Sequence, residues 1–265
     1  MLLSVRHTTE YAYAEPVEFA LQKLRLRPLE SPLQSVRDWE VAIDGGRIEA
    51  AYRDHYANHV DLVSAERGTK SLTITASGRV ETRDTAGVLG KVYSRAPLWH
   101  FRQSTPLTHP GDSTRQFADG LRAAKDTLTG LHDLSGDILK KVPYAVGHTQ
   151  PDTTAEEAVQ IGQGVCQDHA NIFIAAVRAA GLPARYVSGY LMMNDRVDQD
   201  ASHAWAEVHL DDLGWVSFDV SNGVCPDGRY IRLAIGRDAH DAAPVQGLRG
   251  GAGDESLIVS LQVQQ

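Results

Sequence analysis

Four side chains in this sequence could do covalent chemistry together: Cys166, His169, His203 and Asp219. Cys166 sits in "GQGVCQDHAN", residues 162–171, behind Gly162 and Gly164 and ahead of Asp168 and His169. Three chemistries fit a cysteine in that setting. It could fill a core, because free cysteine is among the most buried residue types. It could ligate a metal in a Cys-x-x-His spacing with His169, completed by His203 or His209, although no second half of a metal motif is present. It could be a nucleophile. Ala170, Phe173, Ile174, Val177 and Ala180 follow at helical spacing, so a helix starts at or near Cys166 and ends near Gly181 and Pro183. At such a start, free backbone N–H groups and the positive end of the helix dipole favour a thiolate. The two glycines permit a sharp turn and close backbone approach.

A nucleophilic thiol needs a base and a group to orient it. The stretch "SHAWAEVHL", residues 202–210, alternates: Ala204, Ala206, Val208 and Leu210 share an apolar face, and His203, Trp205, Glu207 and His209 share the other. "GWVSFDV", residues 214–220, puts Val216, Phe218 and Val220 on one face and Trp215, Ser217 and Asp219 on the other. A two-residue turn would pair the polar face of one strand with the apolar face of the other. A three-residue turn, Asp211 to Leu213, matches core with core and pairs Ala206 with Phe218 and Val208 with Val216. Asp219 then lies opposite Trp205 and diagonal to His203, roughly 7–8 Å away at Cα and within reach of an imidazole. A histidine and an acid therefore meet on one face of a hairpin. Together with Cys166 they have the composition of a catalytic triad. Trp205 and Glu207 share that face and are candidates for shaping specificity.

The elements that must position these residues fall into two parts. Residues 1–100 read as β: short alternating runs such as Val5, His7 and Thr9, or Leu24 and Leu26 between basic residues, are bounded by Gly, Pro and Asp. This pattern predicts an antiparallel sandwich-like domain. A segment with Pro97, Pro106 and Pro110 reads as a boundary. Residues 101–265 mix helices and strands, giving an α+β chain overall. One helix is expected over 112–128 with Asp112 or Ser113 as N-cap, and a second stops at Pro143. Strands are expected near 184–192, 202–210 and 214–220, with two more in the tail, and "GLRGGAG", residues 247–253, is expected as a loop. Hydrophobic residues make up 42% and charged residues 23%, and the net charge is 26 − 34 = −8. No basic block interleaved with aromatics is present, which argues against a nucleic-acid partner. No apolar run approaches the ~18 residues of a membrane span. The run at the N-terminus, interrupted by Arg6 and His7, is too short for a signal-peptide core. With two cysteines, Cys166 and Cys225, no disulfide framework is expected. A cytoplasmic protein without cofactor or metal is the resulting expectation, with Cys225 an incidental thiol.

Five motifs in order, "GVCQDHA" at 164–170, "GLPARYVSGYL" at 181–191, "SHAWAEV" at 202–208, "GWVSFDVSNG" at 214–223 and "GRDAHDAAPVQG" at 236–247, resemble those of the bacterial transglutaminase-like proteins. The resemblance covers nearly the whole chain. It implies a β-rich N-terminal domain followed by a transglutaminase/papain-like core in which a nucleophile helix packs on an antiparallel sheet. It implies Cys166 as nucleophile, His203 as base and Asp219 as orienting acid, acting on a peptide, protein or amide substrate. The Cys166 backbone N–H would be one oxyanion donor, with Gln160, Gln163 or Tyr144 as candidates for a second. Two departures stand out. His169 occupies a position where the family commonly has an aromatic residue, and Val220 and Ser221 replace the family's usual proline and threonine after the acid.

Overall fold

The computed structural model describes residues 1–92, 95–250 and 254–265. The first part is built from β1 (Leu2–Tyr13), β2 (Phe19–Leu24), β3 (Gln34–Asp44), β4 (Gly46–Arg53), β5 (His59–Ala65) and β6 (Ser71–Thr82). The alternation of β1 is visible in its burial: Leu3, Val5, His7, Thr9, Tyr11 and Tyr13 all face inward. Between β3 and β4 the chain changes sheet at Gly45, whose φ of 76° is left-handed and where a Cβ would collide with the Ser71 carbonyl.

After β6 come β7 (Val88–Gly90), a 3-10 turn (Leu98–Arg102), α1 (Asp112–Ala123), α2 (Thr127–Lys141), α3 (Ala155–Ile161) and α4 (Cys166–Ala179). They are followed by β8 (Ala184–Leu191), β9 (Asp198–Gln199), β10 (His203–Leu210), β11 (Gly214–Phe218), β12 (Tyr230–Gly236), β13 (Val245–Gly250) and β14 (Glu255–Gln264). Among the described residues these form three sheets, ordered β3-β6-β1-β14-β9, β13-β2-β5-β4 and β12-β8-β10-β11-β7. The fold is α+β, as expected, with every strand pairing antiparallel. No helix among the described residues is long and apolar enough to cross a membrane.

Strands cross the expected boundary at residue 100 in both directions. β7 adds to the edge of the third sheet, while β13 and β14 return to pair with β2 and β1. Residues 247–250 of the expected glycine-rich loop therefore belong to a strand, and 251–253 lie outside the described residues. The proline-punctuated segment is ordered around Phe101, which is fully buried. The helix expected over 112–128 is two helices. The chain is extended at Ala124, and Asp126 then caps α2 by accepting the Thr129 N–H at 2.9 Å. Neither Asp112 nor Ser113 caps α1. The Glu156 carboxylate of α3 accepts the N–H groups of Ser113 and Thr114 at 2.9 and 3.1 Å instead.

α4 is the central element. Its residues from Asp168 to Arg178 are buried on every side, not along one stripe. It packs on the apolar face of the third sheet, where Ala204, Ala206, Val208, Val216 and Phe218 join its core. The β10–β11 hairpin has the expected register, Ala206 opposite Phe218 and Val208 opposite Val216, across a three-residue turn. The opposite face, read from sequence as the polar one, is also covered. Trp205 and Trp215 form a second core there with Leu89 and Phe101.

Candidate active site

Cys166 is placed by a turn that glycine makes possible. Gly162 ends α3 in the left-handed region with φ of 74°. The chain then runs beside Tyr144, the Ala145 N–H donating to the Gly164 carbonyl at 2.8 Å. Asp168 reaches back to accept the Val165 N–H at 2.8 Å and the Thr149 hydroxyl at 2.7 Å, which closes the N-terminus of α4. A side chain at residue 164 would strike Asp168. Cys166 is half-buried as the first residue of α4, so its N–H belongs to the helix-terminal donors that have no intrahelical acceptor.

His203 opens β10, and its Nε2–H donates to Asp219 Oδ2 at 2.6 Å. The other ring nitrogen takes no part in that bond, and His203 and Cys166 line the same cleft. Asp219 is fully buried just past the end of β11. Its Oδ2 also accepts Asn222 Nδ2–H at 2.7 Å and the Tyr230 hydroxyl at 2.8 Å, and its Oδ1 accepts the Asn222 N–H at 3.2 Å. Burial alone would push the Asp219 carboxyl up, but His203 and the hydrogen bonds from Asn222 and Tyr230 outweigh it and hold it low. Burial alone would push His203 down; the Asp219 hydrogen bond and charge, with nearby Cys166 contributing, raise it to about 10. Burial also keeps Tyr230 protonated and hence a donor.

The other expected site residues scatter. Trp205 is 1% exposed and lies tilted against the His203 ring at 6.3 Å between centroids, so it packs against the histidine and does not line the cleft over Cys166. Glu207 is fully buried between Arg185 and Arg232, at 2.6 and 2.9 Å, which makes it part of the sheet's interior. Gln160 is exposed on α3, facing a shallow depression with His148 and Asp152. Gln163 is half-buried in the turn before Cys166 but does not line the cleft described below. Tyr144 lies close to Cys166, whose charge, after burial, contributes to raising its phenol. Cys225 is a free thiol pushed up by burial.

His169 is no partner of Cys166. Its Nε2 donates to the Val142 carbonyl at 2.7 Å, so its Nδ1 accepts from the Ser221 hydroxyl at 2.7 Å. Burial keeps the ring neutral. The departures at 169 and 221 are therefore one feature, a buried hydrogen bond between the two residues. His209 lies six residues along β10 from His203, about 20 Å at the rise of a strand, so the two cannot share an ion with Cys166.

A cleft of about 450 Å³ opens over Cys166 and His203. Gln167, Tyr186, Ser188, His240, Pro244 and Gln246 are among the residues that line it. The motif at 236–247, whose Ala242 carbonyl accepts the Ser188 hydroxyl at 2.6 Å, thus contributes part of the cleft wall. Asn222, Tyr230 and Tyr186 were not singled out by spacing. Asn222 stands three residues after Asp219, a local signal; Tyr230 and Tyr186 arrive from other strands.

A family model described as the transglutaminase-like superfamily matches residues 115–220, which span Cys166, His203 and Asp219. A second, the bacterial transglutaminase-like N-terminal region, matches residues 3–81. The chain belongs to the bacterial transglutaminase-like family. An uncharacterized member from Mycobacterium tuberculosis is 31% identical over 289 residues, covering 98% of this chain and 91% of that protein. The protein-glutamine gamma-glutamyltransferase of Pseudomonas aeruginosa is 30% identical over 142 residues, 49% of this chain and 21% of that protein. The crystal structure named "Putative Cysteine Protease" from Cytophaga hutchinsonii shares the fold, with a TM-score of 0.81 at 21% identity, over 100% of this chain and 90% of that one.

Proposed function

We propose that this transglutaminase-like protein is a thiol-dependent acyl-transfer enzyme that hydrolyses peptide or amide bonds through Cys166, His203 and Asp219. The observation that carries the reading is His203, held by Asp219 at 2.6 Å, lining one open cleft together with Cys166 at the start of α4. The thiolate attacks the substrate carbonyl carbon, and the oxyanion forms beside the Cys166 N–H at the start of α4. The Tyr186 phenol, kept protonated by burial, lines the same cleft and supplies a second donor in place of Gln160 or Gln163. His203 gives its proton to the departing amine as the C–N bond breaks, leaving an acyl-thioester on Cys166. It then takes a proton from water as the water oxygen attacks, and the thiolate leaves. Asp219 holds the ring with Nε2–H outward from the thiol and stabilises the imidazolium.

A second reading, transfer of the acyl group to an amine, is favoured by the named activity of the Pseudomonas relative. The two differ only in what resolves the thioester. Incubating the protein with peptide amides, with and without a primary amine, separates them. Free acid in the absence of amine supports hydrolysis; product formed only with amine overturns it. We propose a cytoplasmic location, which two unpaired thiols suit.

A further inference from the structure

The third sheet has a cavity on each face. The catalytic cleft lies on the side of Tyr186 and Ser188. Arg185, one residue away on β8, faces the other side, into a cavity of about 380 Å³ that also borders residues of the N-terminal part. Arg185, Arg232, Arg53 and Arg95 line this second cavity, against one rim carboxylate, Glu30, which accepts the Val36 N–H at 3.0 Å. Arg185 and Arg232 are both buried and share one carboxylate, Glu207, so the trio holds an unbalanced positive charge beneath the cavity. The Arg185 guanidinium is also pinned 3.8 Å above the Trp215 ring. The Nε–H of Arg232 is buried without a hydrogen-bond partner. A buried donor on a cation that finds no acceptor is costly and rare unless something outside the chain supplies one. Among the described residues neither Arg53 nor Arg95 is in a salt bridge, and Arg53 spends one N–H on the Ala57 carbonyl at 2.9 Å. Leu89, Val92 and Ile235 add an apolar part to its wall.

We propose that this cavity, on the opposite face of the sheet from Cys166, binds a small organic anion. Its phosphate or carboxylate group lies against the four arginines and its apolar body against Leu89, Val92 and Ile235. Charge-assisted hydrogen bonds from guanidinium groups suit either oxyanion. The site does not use the catalytic cleft, so it stands or falls separately from the enzymatic reading.

Calorimetric titration with phenyl phosphate, inorganic phosphate and benzyl alcohol, at constant ionic strength set by chloride, tests it. Phenyl phosphate is expected to bind saturably at one site, at least tenfold more tightly than inorganic phosphate, while benzyl alcohol gives no saturable heat. The exposed pair Arg53→Ala with Arg95→Ala, which leaves the buried trio intact, should weaken phenyl phosphate at least tenfold. Cys166→Ser should leave its affinity unchanged. Absence of saturable binding, or equal affinity in the Arg53→Ala, Arg95→Ala protein, overturns the proposal, as does loss of binding in Cys166→Ser.

Discussion

Replacing Asp219 by Asn removes one charge and almost nothing else. Oriented with its carbonyl at the Oδ2 position, the amide still accepts from His203, Asn222 and Tyr230. Only the Asn222 N–H at 3.2 Å loses its acceptor, at about 1 kcal/mol, so the fold should survive. The consequence falls on His203, which is raised from 6.5 to about 10 against the opposing effect of burial. That rise corresponds to roughly 5 kcal/mol in favour of the imidazolium. If the Asp219 charge supplies about half, its loss lowers the preference for the imidazolium by on the order of tenfold to a hundredfold. Without the nearby anion His203 deprotonates at lower pH, and Cys166 loses a charged partner at pH 7. Alkylation of Cys166 by iodoacetamide, followed from pH 4 to 10 by mass spectrometry, should be at least tenfold slower in Asp219→Asn at pH 7. A rate at pH 7 within twofold of the original protein, with a melting curve showing an intact fold, would refute the role given to the carboxylate.

Three further outcomes are expected. Glu207→Ala strands two buried guanidiniums and should cost about 3–5 kcal/mol, read as a fall of the melting midpoint by about 10 °C or more; a loss below about 1 kcal/mol would contradict the trio. His7 is lowered by burial from 6.5 to about 4. The unfolded chain therefore binds the extra proton first, and roughly 3 kcal/mol of stability is lost as pH falls from 6.5 to 4. Urea unfolding of His7→Asn should show a flatter dependence over that window, and an identical slope would exclude the assignment. For the buried pair of His169 and Ser221, the combined His169→Phe, Ser221→Ala protein should lose less stability than the two single changes added, by at least about 0.5 kcal/mol, and strict additivity would separate the two residues.

Much of the arrangement of Cys166, His203 and Asp219 was legible because it rests on periodicities of the backbone. A helix that begins at Cys166 and a hairpin whose apolar faces must match fix the helix start and set His203 beside Asp219, while the docking of the helix on the hairpin is tertiary. Less legible was what lies against those elements. Alternation separates two faces of β10, but it does not say that a second layer covers the polar one. Trp205 and Glu207 therefore read as site residues and are interior instead. The ion trio requires Arg185 on β8 and Arg232 on β12 to flank β10, which depends on sheet order. Tyr230 reaches Asp219 for the same reason. Glu156 caps α1 from 42 and 43 residues away, where the local signals Asp112 and Ser113 mislead. The missed strands β4, β7, β9 and β13 are short, exposed or glycine-bearing edges with little apolar pattern to read. At His169 and Ser221, two separate oddities of sequence are one contact in space.

Cys166 is proposed as a nucleophile that His203 activates and that can hold an acyl group. Peptide mapping after a brief reaction with p-nitrophenyl acetate at pH 7 tests this directly. One acetyl group is expected, on Cys166, absent from Cys166→Ala and formed at least tenfold more slowly in His203→Ala. Acetylation elsewhere with Cys166 free, or equal rates in the original protein and His203→Ala, would contradict it.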